Sequence, residues 1–121
     1  MRYTSAVNQR HNRLLGTRIA LADGWWLRAR GLLGRGELAP GEGMLLRPCR
    51  AVHTIGMAFP LDVLFLDRAG NAVALYPRLQ PNRRTRWHRA AVEALELPAG
   101  TLDATGTAEG DVILCGGGER A

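Results

Sequence analysis

The residue pattern predicts a mainly β domain: a compact sandwich or partly open barrel of six to eight short strands, with one short helix near residues 24–33. Three observations lead there. Beyond Gly36, short apolar runs alternate with breakers bearing Gly and Pro, the texture of short strands and turns. The segment 24–33 spaces its apolar residues at helical period. The stretch LDVLFLD–RAGN–AVALY sets two apolar runs around a short connection with Gly70 at its left-handed position, the signature of a hairpin.

In chain order, Leu14 to Ala22 reads as a strand with Leu15, Thr17, Ile19 and Leu21 on one parity. Asp23 is placed to cap the helix. Within that helix Trp25, Trp26, Ala29, Leu32 and Leu33 form one apolar face, Arg28, Arg30 and Arg35 project from other sides, and Gly34 stops it. Met44 to Arg47, Ala51 to Ile55, Leu61 to Leu66 and Ala72 to Tyr76 are four further strand candidates. Leu61 to Leu66 is apolar on both parities except for Asp62, which implies a strand covered on both faces. Val92 to Leu97 and Val112 to Cys115 add two more, and LPAGTLDATG between them reads as a turn with at most one helical turn.

A chain of 121 residues without repeats or linkers is expected to form one domain, with a core over about 14–115 and a frayed tail at 116–121. Its 46% hydrophobic content excludes disorder as the main state. There is no apolar run of membrane-spanning length, and the first residues, MRYTSAVNQRHNRLL, lack a signal-peptide core. A cytoplasmic location is the expectation. Cys49 and Cys115 are too few for a disulfide framework and are expected as two buried thiols. All sixteen basic residues are arginine; residues 1–60 hold nine against three acids, whereas residues 91–121 hold one against six.

Cys49 and His53 are types that can form a nucleophile–base pair. In extended chain, however, four residues hold their Cα atoms roughly 13 Å apart. The plain reading is a buried thiol and a hydrogen-bonded imidazole. No His or Cys spacing is of the zinc type, so no metal and no cofactor are expected. His53 and Asp62 are the better constellation. They flank TIGMAFPL, where Gly56 and Pro60 allow a reversal that would bring imidazole and carboxylate together. That pair is either a structural clamp or a ligand-facing acid and base. Arg30 and Arg35 could supply forks for a carboxylate or phosphate. The stretch RRTRWHR, with Arg83, Arg84 and Arg86 around Trp87, has the basic–aromatic composition of a nucleic-acid footprint. A solvated edge is the ordinary reading of such a run.

Five signatures recur in order: RARGLLGR (28–35), GEGMLL (41–46), VHTIGMAFPLDVLFLD (52–67), LELPAG (95–100) and EGDVIL (109–114). Their order and spacing resemble the domain of unknown function 192 family of small bacterial and archaeal proteins. The central block of that family commonly reads Phe-Trp-Met-Lys-Asn-Thr, two residues, then Pro-Leu-Asp. Here Met57 and Pro60-Leu61-Asp62 match, the polar cluster is absent, and His53-Thr54 marks a different branch. The resemblance implies a compact mainly-β fold and no particular activity, cofactor or substrate.

The leading expectation is a binding domain for a small anionic ligand or a protein partner, at a polar site of Arg30, Arg35, His53 and Asp62. An acid–base enzyme using His53 and Asp62, with Cys49 as nucleophile, is the first alternative. Nucleic-acid binding through Arg78 to Arg89 is the second.

Overall fold

The structure is a computed structural model that describes residues 2–23 and 37–116. Among these, seven strands and one short helix follow in the order β1 (Tyr3–Asn8), β2 (Arg13–Asp23), β3 (Glu42–Arg47), β4 (Leu61–Leu66), β5 (Ala72–Leu79), β6 (Glu93–Pro98), α1 (Thr101–Thr105) and β7 (Ile113–Cys115). The strands make one sheet of order β5-β4-β6-β3-β2-β1-β7. The pair β2–β3 is parallel and the other named pairings are antiparallel.

The sheet curls until its edges meet. Asn71, at the start of β5, bridges Val112 beside β7. The Ala72 amide donates to the Asp111 carbonyl at 2.8 Å, and the Ile113 amide donates to Gly70 at 2.9 Å. Of the two predicted architectures this is the partly closed barrel. Curling gives each central strand two apolar environments. The inner cluster holds Ile19, Leu45, Leu64, Leu95, Leu97 and, from α1, Leu102. The outer cluster holds Met44, Leu46, Val63, Phe65 and Ala94, covered by Leu38, Val52 and Phe59 from the connecting segments. Hence β4 is buried at all six positions, as its apolar composition predicts.

The β4–β5 hairpin has Gly70 at φ 89°, the left-handed turn residue expected there. One strand was not expected, and three expectations are corrected or left outside. β1 is a strand although YTSAVN carries no strand signal; pairing with β2 on one side and β7 on the other holds it. The strict alternation expected of β2 breaks, because register shifts interrupt its pairing with β1 and the amides of Thr17 and Arg18 both donate to the Gly41 carbonyl. Ala51 to Ile55 forms a single bridge, His53 to Arg84, in place of a strand. Thr85 Oγ1 accepts the Val52 amide and Thr54 Oγ1 donates to the Gln80 carbonyl, so side-chain oxygens interrupt the backbone pairing with 82–88. The helix expected over 24–33, with Arg30 and Arg35, lies outside the described residues. Among the described residues no helix is long and apolar enough to cross a membrane.

Candidate functional site

The structure does not bring His53 and Asp62 together. Asp62 is fully buried on the inner face of β4. Its Oδ1 accepts the amides of Arg78 (2.8 Å) and Gly100 (3.1 Å), and its Oδ2 accepts that of Leu102 (2.7 Å). Helix α1 has Gly100 at its N-cap with no side-chain bond of its own. Asp62 supplies that bond from the adjacent strand β4, satisfying amides that the helix start leaves unpaired. The clamp reading is therefore correct for Asp62, but its partners are backbone amides and not His53. His53 is exposed, and its Nδ1 accepts the Ile55 amide at 3.3 Å. Cys49 is buried in the outer cluster with Sγ donating to the Ala51 carbonyl at 3.2 Å. The triad of the enzyme alternative is thus not assembled. Cys115 is only partly buried, against the expectation of two buried thiols, and neither cysteine is in a disulfide.

His53 instead joins the basic run. The chain at 50–54 lies against 82–88 through bonds from Thr54 N to Arg83 O, Thr85 N to Val52 O and His88 N to Arg50 O, at 2.7–2.9 Å. This ladder holds Arg83, Arg84 and Arg86 exposed, with Trp87 at 67% exposure and Ile55 at 47%. Arg78 sits apart, its guanidinium 2.7 Å from Asp103.

A cavity of about 360 Å³ opens at one end of the curled sheet, where the first residues of β1 and β6 meet the last of β2, β3 and β7. Leu21, Leu45 and Cys115 line its inner side, with Arg2, Arg47 and Glu93 around it. Arg47 and Glu93 approach at 3.4 Å, long for a charge-assisted bond.

Two further groups stand on the outer face. Glu96 in β6 is 7% exposed, and burial pushes its carboxyl up to about 7. No described residue bonds to its side chain. The Tyr76 hydroxyl lies 2.6 Å from His88 Nε2. Burial, and then the Arg86 charge, lower the His88 pKa, which favours the neutral ring that accepts the Tyr76 proton. Among the described residues no cluster of three metal-ligating side chains occurs.

A family model for DUF192, described as an uncharacterized ACR, matches residues 6–115, nearly the whole chain. The chain belongs to the DUF192 family. Two solved structures are similar to it. One is a protein of unknown function from Novosphingobium aromaticivorans: TM-score 0.79, 20% identity, covering 93% of this chain and 83% of that one. The other is from Sinorhizobium meliloti, and its description proposes a transcription regulator: TM-score 0.78, 25% identity, covering 95% of this chain and 96% of that one. No curated protein matches.

Within the described signatures of the DUF192 resemblance, Gly43 and Asp111 are architectural. Gly43 packs where an added Cβ would stand 2.6 Å from the Glu96 carbonyl. Asp111 is buried, bonded to Arg10, Asn8 and the Ala108 amide, and the Arg10 guanidinium holds its carboxyl far below the usual range. Glu96 and the Tyr76–His88 pair are not among the site residues expected from the sequence. A signal for Glu96 was present: LELPAG sets one carboxylate between two leucines of a strand.

Proposed function

We propose that this DUF192 chain is a binding domain that takes a small anionic ligand in the cavity at the end of the curled sheet. The carrying observation is the coincidence of volume and chemistry there. About 360 Å³ falls within the range of small-molecule sites, and two arginines border an apolar floor of Leu21 and Leu45. Guanidinium forks suit carboxylate and phosphate oxygens. Arg47 stands 3.4 Å from Glu93 at the rim of the cavity. The reading keeps the ligand class expected from the sequence and moves the site away from His53 and Asp62.

Thermal-shift and calorimetric titration with small carboxylates and phosphates test it. The expected result is a stabilising anion whose affinity falls about tenfold in Arg2→Ala and again in Arg47→Gln, as loss of one charge-assisted bond each would produce. Binding that survives the double variant, or a complete absence of hits, refutes the reading.

A second reading rests on the segment 82–88 paired with 50–54, in which three arginines and Trp87 are exposed. Such surfaces stack and neutralise single-stranded nucleic acid, and the description of the Sinorhizobium meliloti neighbour points the same way. An oligothymidylate should quench Trp87, and the salt slope should fall by about 2 in the Arg83/Arg84/Arg86→Ala variant. An unchanged slope, or equal quenching in Trp87→Phe, removes this reading.

A further inference from the structure

Pairing register places the cavity at the end of the inner apolar rows. Leu21, Leu45, Leu95 and Leu64 lie side by side across β2, β3, β6 and β4, and all belong to the inner cluster. Residues two apart on a strand share a face, so Arg47 after Leu45 and Glu93 before Leu95 occupy the next inner row. Glu93 pairs there with Leu66, another inner-cluster residue. The apolar interior thus ends in a half-buried guanidinium and a half-buried carboxylate, 3.4 Å apart. Arg2 is tied to the same end, because the Leu21 amide donates to its carbonyl at 2.8 Å.

The described lining therefore carries two guanidiniums and one carboxylate above Leu21, Leu45 and Cys115. A simple anion meets both signs: the arginines attract it and Glu93 repels it. Glu93 Oε2 faces Arg47, and no described residue bonds its Oε1. A ligand with an ammonium beside its carboxylate turns that repulsion into a bond. Spacing selects the kind of zwitterion, since opposite charges 3.4 Å apart on the protein match charges borne on one carbon better than charges at the two ends of a chain.

We propose that the cavity takes a free α-amino acid with an apolar side chain. This rests on the reading of the cavity as a carboxylate site and names the ligand class of that same site. The ligand carboxylate lies on the guanidiniums of Arg2 and Arg47, its ammonium on Glu93, and its side chain over Leu21, Leu45 and Cys115. A guanidinium has five N–H donors in a fixed fork, so Arg47 can bond Glu93 and a ligand carboxylate together. A volume of about 360 Å³ is at the small end of ligand sites, as a single amino acid requires. A peptide terminus brings only one of the two charges.

Calorimetric titration of the full chain at neutral pH tests the proposal with matched probes. Leucine and phenylalanine are compared with isocaproate and hydrocinnamate, which lack only the ammonium. Isoamylamine lacks only the carboxylate of leucine, and ε-aminocaproate holds both charges far apart. At least one amino acid should bind about tenfold tighter than its deaminated partner, as one charge-assisted bond would produce, and tighter than isoamylamine and ε-aminocaproate. In Glu93→Gln that advantage should vanish, while isocaproate and hydrocinnamate bind at least as tightly as to wild type. Deaminated acids that match the amino acids in wild type, or a preference that survives in Glu93→Gln, overturn the zwitterion and leave the anion reading standing. Equal binding of ε-aminocaproate and leucine overturns it too. If no carboxylate binds, with or without an ammonium, both fall. Should Glu93→Gln fail to fold, the matched probes on the wild-type chain decide.

Discussion

Two buried carboxylates, Asp62 and Glu96, occupy adjacent strands of one sheet and meet opposite fates. Asp62 collects three backbone amides, and bonds to a charged acceptor are the strong ones. Asp62→Ala should lower unfolding free energy by at least about 3 kcal/mol in urea titration, because three buried donors lose their acceptor together. His53→Ala, at an exposed position, should stay within about 0.5 kcal/mol. Glu96 has a folded pKa of about 7 against an ordinary glutamate value of 4.5. Its folded value is raised, so the stability it contributes is full below the unfolded value and is lost as pH rises through about 7. Glu96→Gln should therefore be more stable than wild type in mildly alkaline solution, by on the order of 3 kcal/mol. The difference should close under acidic conditions, which denaturant melts across pH would show.

At the scale of the element, β3 and α1 depend on groups remote in sequence. Gly43 of β3 admits no side chain: a Cβ there would stand 2.6 Å from the Glu96 carbonyl and 2.9 Å from Ile19 Cδ1. Gly43→Ala should cost about 1–3 kcal/mol, measured by thermal or urea unfolding. The β4–β5 hairpin was legible in the sequence because its two apolar runs and Gly70 are neighbours along the chain. The single turn of α1 was legible from LPAGTLDATG for the same reason. β1 was not, since its polar residues are held by strands that arrive from residues 13–23 and 113–115. The false strand at 51–55 has a related cause: the apolar residues are there, but Thr54 and Thr85 oxygens compete for the backbone bonds a strand would use.

For the molecule as a whole, closure of the sheet rests on the Asn71–Val112 bridge and on Asp111, which ties Asn8 and Arg10 to the approach of β7. The folded-state pKa of Asp111 is depressed, so its contribution is present above the ordinary carboxylate range and is lost as pH falls through the folded value. Asp111→Asn should show its largest stability deficit at neutral pH and a smaller one in strong acid. Hydrogen exchange at the amides of Gly110 and Ile113 should quicken in that variant at neutral pH.

Residue order alone determined the β class, the hairpin and membership of DUF192, because each is written in apolar spacing, turn residues and short signatures read locally along the chain. Tertiary structure decided that Asp62 faces amides instead of His53, that the sheet curls to join its edges, and that Glu96 stands on the outer face with no partner among the described residues. Those outcomes depend on which distant strands become neighbours and on how far each side chain is withdrawn from water, and both are settled only when the whole sheet has closed.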